Sequence, residues 1–387
     1  MRIDFVFPKF KLLSGAERLI LSLASELTKR GHRVRILCHR FDESCRPAVE
    51  GLCIEETGLR LDWTGNHYID SISSYLFSLR LRRLIAADAD VVCLFGPALP
   101  LAPWLRAPQR RVLYFCYEPP RAVGVDSSDV LARVGPLRWV LGPALRLYRA
   151  IDRWLVRQVD LVLVNGAFGQ ELIQREYGLP SRVITHGVSL QPVAADRSEA
   201  RQALDLDAAA QVAVTVNFLH PRKRVDLLLR AWAGVEKKLP EARLLVVGDG
   251  PEAGSLRDLA KSLNLRGVKF CGFVSEEKLP LYYAAADLLV HVARQETFGL
   301  TIIEAGAFGL PVVAVDEGGP RSTILQGDTG IRVNAEEKPL AAAICELLAD
   351  RERARKMGER GREHVLGRYT WSRGAEEFLK VCHDLGL

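Results

Sequence analysis

Short apolar runs alternate with amphipathic stretches along almost the whole chain. Residues 3–7 are apolar at four of five positions, and Ala16, Leu19, Ile20, Leu23, Ala24 and Leu27 follow as one stripe at helical spacing. Gly31 interrupts, and residues 34–38 return to an apolar run, completing a strand–helix–strand unit of the kind that builds parallel sheets. Further strands predicted at 91–95, 111–116, 161–164 and 183–185 extend a first sheet. Residues 191–211 are polar and alanine-rich with no strand pattern, so a domain boundary is placed there. The rhythm restarts with strands at 212–216, 244–247, 288–292 and 311–315 and helices near 225–238, 252–263, 276–285 and 301–309. The predicted fold class is α/β, two Rossmann-like doubly wound domains facing across a cleft, the first over 1–190 and the second over 191–365.

Composition removes several alternatives. A chain of 387 residues with 48% hydrophobic and 26% charged residues is neither disordered nor fibrous. Its longest uncharged apolar stretch, residues 91–105, is too short to span a bilayer and contains Pro97, Pro100 and Pro103. The N-terminus reads as a strand rather than a signal peptide, which sets the expectation of a cytoplasmic protein. Eight cysteines show no C-x-x-C spacing and do not cluster with the eight histidines, so reduced thiols are expected and zinc is not. The net charge of +6 is unevenly spread: residues 1–190 carry 26 basic and 19 acidic side chains, giving +7, and residues 191–387 carry 27 and 28, giving −1.

In open α/β sheets, ligands bind at the carboxyl ends of strands, where helix N-termini aim backbone N–H groups at anions. Ser14-Gly15-Ala16-Glu17 follows the first strand; it reads as a capping box, and Gly15 also permits close approach of a phosphate. Gly248-Asp249-Gly250-Pro251 ends another strand, but its spacing to Gly254 is not the dinucleotide fingerprint, and a tight turn accounts for it. Arg222-Lys223-Arg224 follows a strand too, where a basic triplet either faces solvent or neutralises a diphosphate. The strongest block runs from Glu296 through Phe298, Gly299, Leu300 and Thr301 to Glu304. Glu304 falls in an apolar helix among Ile302, Ile303 and Ala305, where a carboxylate without a partner is costly. A vicinal diol donating two hydrogen bonds would relieve that cost. Asp88-Ala89-Asp90 and Asp205-Leu206-Asp207 have metal-binding spacing, but neither lies at a predicted ligand edge, and no metal is expected.

The segment from Glu296 to Glu304, continued by Ala305 through Val313 and by Gly318-Gly319, resembles the E-x7-E motif of the retaining glycosyltransferases of family 4. Gly15-Ala16-Glu17-Arg18, Gly31-His32, Gly272-Phe273-Val274 and Tyr369-Thr370-Trp371 are also similar to family patterns, so the resemblance covers nearly the whole chain. It implies the GT-B fold and metal-independent transfer of a hexose from a nucleotide-diphosphate sugar with retained anomeric configuration. The donor is a substrate, and no other cofactor is implied. By that resemblance Glu296 takes the donor sugar, Glu304 the ribose hydroxyls, Lys223 and Arg222 the diphosphate, Phe298, Gly299, Leu300 and Thr301 the sugar and phosphates, Gly248 and Gly15 the phosphate approach, and Val274 the base. The last helix, within 366–387, is expected to cross back to the first domain. Two positions depart from the pattern: Tyr117 stands where a histidine is common, and Phe218 stands where an arginine is common.

Residues 131–161 hold Arg133, Arg138, Arg146, Arg149, Arg153 and Arg157 against Asp152 and Asp160, with Trp139 and Trp154. One reading is a helix pair whose arginines snorkel; the other is a basic surface, Arg146, Arg149 and Arg153 at its centre, resting on anionic lipid. Pro136 and Pro143 argue against one continuous helix. A loose similarity of Cys45 and residues 145–152 to mannosyltransferases that extend polyprenol-linked oligosaccharides favours GDP-mannose over a UDP-sugar. The partners expected are therefore a nucleotide-sugar donor and a saccharide or lipid-linked acceptor, with peripheral membrane contact and no nucleic acid. Two competing readings keep the fold without transfer: a nucleotide-sugar epimerase and a non-catalytic nucleotide-sugar-binding protein.

Overall fold

The N-terminal apolar run forms the strand Arg2–Val6, buried over its last four residues. It pairs in parallel with Arg33–Cys38 on one side and Val91–Phe95 on the other. The computed structural model describes residues 1–10, 15–42, 45, 51–59, 74–117, 138–189 and 196–387. Ser14, Arg133 and Pro136, all named above, lie outside them. The described residues divide into two units: Met1–Gly187 with Trp371–Leu387, and Val188–Thr370.

The first unit is built on a parallel seven-stranded sheet in the order Cys53–Glu56, Arg33–Cys38, Arg2–Val6, Val91–Phe95, Arg111–Phe115, Leu161–Val164, Ser181–Val183. The order reverses at Arg2–Val6, so the loop after that strand lies at a topological switch point. The helix Gly15–Lys29 buries Leu19, Ile20, Leu23, Ala24 and Leu27, the stripe read from the sequence. The last helix, Trp371–Asp384, packs in this unit: Phe378 meets Phe5 edge-on at 5.7 Å, and Glu377 accepts from the Thr185 amide at 2.6 Å.

The second unit holds a parallel six-stranded sheet in the order Val268–Gly272, Ala242–Val247, Gln211–Val216, Leu288–His291, Val312–Val315, Gly330–Val333. Here the order reverses at Gln211–Val216. The helix Val225–Lys238 buries Leu228, Leu229 and Trp232 over this sheet, each fully removed from water and each contributing roughly 1.5–3 kcal/mol.

Several expectations need correction. The unit boundaries fall after Gly187 and Thr370 rather than after 190 and 365. The interval placed at 191–211 contains a helix, Arg197–Ala203, closed by a reciprocal capping box between Asp196 and Glu199. Arg201 of that helix is buried and pairs with Asp287 at 2.9 Å, which ties the segment to the second unit. One helix, Arg138–Val156, runs through Pro143 at its sixth position, past the first turn where proline costs nothing, so the helix continues despite one forfeited intrahelical bond. Three strands of the two large sheets were absent from the sequence reading, Cys53–Glu56, Val268–Gly272 and Gly330–Val333, and all three are sheet edges; the short parallel pair Lys9–Phe10 and Arg40–Phe41 was absent as well.

Candidate active site

Because the second sheet is parallel, the loops leaving the carboxyl ends of its strands gather on one edge. Arg222 and Lys223 follow Gln211–Val216, Gly248 follows Ala242–Val247, Val274 follows Val268–Gly272, and Glu296 follows Leu288–His291. Backbone bonds stitch these loops together: Gly248 donates to Gly272 at 2.8 Å, Arg294 to the Arg222 carbonyl at 2.8 Å, and Gly319 to the Glu296 carbonyl at 2.7 Å. Arg224, held in the left-handed region, donates to the Val292 carbonyl at 2.9 Å and forms a two-pronged pair with Glu317 at 3.1 and 2.9 Å.

At the centre, Lys223 Nζ meets Glu296 Oε2 at 2.5 Å, with less than a fifth of either side chain exposed. Gly299, at φ 89°, turns the chain sharply into the helix Leu300–Ala307. Phe298 is buried against Tyr369 at 5.6 Å, so its side chain serves the core and only its backbone remains for a ligand. Glu304, five residues into the helix, is only 5% exposed, and its Oε2 accepts from the Tyr283 hydroxyl at 2.8 Å. The buried carboxylate therefore has a protein partner, which sequence reasoning missed because Tyr283 reads as an ordinary core position.

His291 was missed as well. It ends the strand Leu288–His291, is buried, and shares a 3.3 Å contact between Nδ1 and Thr301 Oγ1. Among the described residues its Nε2 has no hydrogen-bond partner. Its one signal in the sequence is a polar residue closing an apolar strand at the ligand edge.

Burial pushes the Glu296 carboxyl up, but the Lys223 ammonium and the Arg222 guanidinium outweigh it and bring it down to about 2. Burial holds His291 down at about 4; Glu296 opposes this, and Lys223, Arg224 and Arg222 reinforce it. Glu296 is thus ionised and His291 neutral at pH 7. His291 leads to a first expected result. Unfolded, the imidazole takes a proton near its ordinary value of 6.5; folded, it does so only at about 4. Between these values the unfolded chain binds more protons, so stability present above pH 6.5 is lost as the pH falls towards 4. Thermal melts from pH 7.5 to 4.5 should show that slope, and His291→Gln should make it shallower without removing the share of other buried histidines; an unchanged slope would contradict the assignment.

In the first unit, Gly15 opens the helix Gly15–Lys29, and the ring of buried His186 shares a 2.9 Å bond with the Gly187 carbonyl and rests on Trp371 at 4.4 Å. Burial lowers His186 to about 4 as well, against the Gly187 and Gly15 bonds. Tyr117 follows Arg111–Phe115, its hydroxyl 2.6 Å from where a Cβ on Gly96 would stand. Arg146 and Arg153 are exposed on the helix Arg138–Val156, and Arg149 is half-buried there. Asp88 pairs with Arg2, Asp90 accepts from the Arg2 amide at 2.7 Å, and Asp207 accepts from the Ala209 amide at 2.7 Å.

Two family models match the chain: Glycosyltransferase Family 4 over residues 13–192 and Glycosyl transferases group 1 over 196–364. The GDP-mannose-dependent alpha-(1-6)-phosphatidylinositol monomannoside mannosyltransferase of Mycobacterium tuberculosis is 31% identical over 311 residues, 76% of each chain. The chain belongs to glycosyltransferase family 4. Among solved structures, the glycosyltransferase superposes on sucrose-phosphate synthase from Thermosynechococcus elongatus with a TM-score of 0.77 at 21% identity, covering 99% of this chain and 98% of that one. It superposes on Anabaena HepE, solved in complex with UDP and glucose, with a TM-score of 0.77 at 20% identity, covering 99% and 100%. At these identities the likeness establishes the GT-B fold, two Rossmann-like domains with parallel sheets.

For the glycosyltransferase, the structure brings Arg222, Lys223, Gly248, Val274, Glu296, Phe298, Gly299, Leu300, Thr301 and Glu304 to one edge of the second unit. Gly15, Tyr117, Arg146, Arg149 and Arg153 belong to the first. No helix is long and apolar enough to cross a membrane among the described residues.

Proposed function

We propose that the glycosyltransferase is a retaining, metal-independent hexosyltransferase that takes its donor, a nucleotide-diphosphate sugar, at the carboxyl edge of the second sheet. The observation that carries this reading is the 2.5 Å pair of Lys223 and Glu296, eight residues before the anchored Glu304. Two carboxylates with different surroundings suit two hydroxyl-bearing rings, Glu304 the ribose and Glu296 the transferred sugar. Arg222 and Lys223, with the first amides of the helix Leu300–Ala307, then stabilise charge developing on the departing diphosphate. In a front-face displacement the glycosidic bond to the diphosphate breaks as the bond to the acceptor oxygen forms, and the diphosphate oxygen receives the acceptor's proton. Mannose from GDP-mannose is the favoured donor group, in keeping with the mycobacterial relative, and a UDP-sugar is the alternative. Screening GDP-, UDP- and ADP-sugars by thermal shift, then following hydrolysis of the binder, tests this. No binder, or a sugar epimerised rather than released, overturns it.

The acceptor is proposed to be a saccharide or lipid-linked saccharide reached from an anionic membrane surface, with the protein peripheral on the cytoplasmic face. Support comes from the first unit. Leu147, Ile151 and Trp154, 63%, 44% and 54% exposed, form an i, i+4, i+7 ridge on the helix Arg138–Val156. The sole acid of that helix, Asp152, points inward and is bonded by Tyr177 at 2.7 Å and Tyr75 at 3.3 Å. Exposed Leu79 and Trp104 come from the 3-10 helices Ser78–Leu84 and Gly96–Trp104, exposed Leu76 lies just before the first, and Arg82 stacks over Trp104 at 5.5 Å. An apolar ridge among arginines fits a surface that combines acyl chains with anionic headgroups. Arg146→Gln, Arg149→Gln and Arg153→Gln together should weaken sedimentation with phosphatidylglycerol vesicles several-fold at low salt. Leu147→Ser with Trp154→Ser should weaken it at high salt too, and unchanged sedimentation of both variants refutes the surface.

A further inference from the structure

The strand Leu288–His291 ends on an imidazole that the core does not need. Strand alternation puts His291 on the same face as Leu289, which packs with Ile302 and Ala305 of the helix Leu300–Ala307, and only 2% of the histidine is exposed. A leucine there would continue the apolar pattern. The imidazole instead buries two polar nitrogens and finds a partner for one: Nδ1 lies 3.3 Å from Thr301 Oγ1, and Nε2 has no hydrogen-bond partner among the described residues. A buried polar atom left unmatched costs stability, so the histidine weakens the core it sits in. Burial holds the ring down at about 4, so at pH 7 it is neutral and only one nitrogen carries a proton. On Nε2 that proton would be a buried N–H without an acceptor, which proteins rarely tolerate; on Nδ1 it meets the Thr301 oxygen.

We infer that His291 is a positioning residue for the donor's diphosphate: Nδ1–H donates to Thr301 Oγ1, fixes that hydroxyl in the first turn of the helix Leu300–Ala307, and leaves the hydroxyl's own proton for an anionic phosphate oxygen at the helix N-terminus. The inference rests on the proposed binding of a nucleotide diphosphate at this edge. The imidazole touches no ligand itself and acts through Thr301, as an outer group fixes the geometry of an inner one. Thr301 is half-buried, and its hydroxyl has no second partner among the described residues. A hydroxyl donates a single hydrogen bond, so the tautomer decides the outcome. With the proton on Nε2, the Thr301 proton would be spent on Nδ1 and none would remain for the phosphate.

The experiment compares the dissociation constants of GDP and UDP with those of guanosine and uridine in the wild type, His291→Leu, Thr301→Val and the double variant. The better-binding wild-type pair should favour the diphosphate by about a hundredfold or more, as expected of several hydrogen bonds to a charged group. His291→Leu should melt no lower than the wild type at pH 7, yet its preference should fall by about three- to tenfold while nucleoside affinity stays within about twofold. Thr301→Val should lose at least as much, and the double variant no more than Thr301→Val alone, because both changes remove one contact. A merely structural role would lower the melting temperature and weaken nucleoside and diphosphate together. If the wild type shows no preference for the diphosphate, the proposed donor site fails and takes this inference with it. If the wild type discriminates and His291→Leu does so equally, or if the two losses add in the double variant, the inference alone fails. Should His291→Leu not fold, 15N spectra of the histidine-labelled wild type, with the His291 signals assigned by their absence from His291→Gln, read the tautomer directly: a proton on Nδ1 supports the assignment, and a proton on Nε2 overturns it.

Discussion

Glu296→Gln is expected to lower sugar transfer, or hydrolysis of the donor, by about 10²–10³-fold while the nucleotide diphosphate still binds. The substitution is nearly isosteric, so packing is preserved and only charge and one strong acceptor are lost. Lys223 loses the carboxylate at 2.5 Å, and the nearby guanidiniums of Arg222 and Arg224 carry its own sign and cannot replace it. The edge becomes one unit more positive, which favours a diphosphate and disfavours nothing in its binding. On the proposed function, what disappears is an ionised acceptor for the sugar and the restraint on the ammonium that would meet the leaving group. Because Glu296 is held down to about 2, its ionised form should persist through any pH at which the protein is folded, so the acid limb of a pH–rate profile would not be its titration. Single-turnover rates and direct binding separate the two effects. Unchanged turnover would remove Glu296 from the transfer site, and loss of binding together with melting temperature would make its role structural.

The central strands and the long helices were legible because burial on both faces imposes continuous apolar runs and a single helical stripe. The run at 91–95 becomes the strand Val91–Phe95, and the segment at 225–238 becomes the helix Val225–Lys238. The three missed strands of the two large sheets are edges, paired on one side and only partly buried. Cys53–Glu56 ends in two glutamates and Val268–Gly272 carries a lysine and a terminal glycine, so neither pattern rises above a loop. In the site, Glu296, Glu304 and Lys223 were visible through their spacing and polarity. Tyr283 and His291 were not, since each reads as part of an apolar element and acquires its partner only from a neighbouring element. The ridge of Leu147, Ile151 and Trp154 was not identified from the sequence, because helical periodicity does not say which way a face turns, and the inward side here is organised around Asp152.

Gly248→Ala is expected to destabilise the second unit by about 3 kcal/mol or more and to weaken nucleotide binding in the fraction that still folds. Two independent effects act at this position. Its φ of 123° lies where side-chain-bearing residues are strained, and a Cβ there would collide with the Asn217 carbonyl oxygen. That oxygen cannot move cheaply, because the Asn217 amide donates to Val247 at 2.9 Å and Gly248 donates to Gly272 at 2.8 Å, fixing three loops at once. A shift of Asn217 would propagate along the chain to Arg222 and Lys223, five and six residues on, and so reach the diphosphate side chains without touching them. Gly254 provides the control. It lies in the helix Ala253–Ser262 with no atom within 4 Å of an added Cβ, so Gly254→Ala should be neutral or stabilising by up to about 1 kcal/mol. Urea midpoints and nucleotide dissociation constants for the two variants decide the point. Equal midpoints would mean that the turn relaxes around a methyl group. A lowered Gly248→Ala midpoint with wild-type affinity would mean that the glycine serves the protein's own backbone and not the approach of a phosphate.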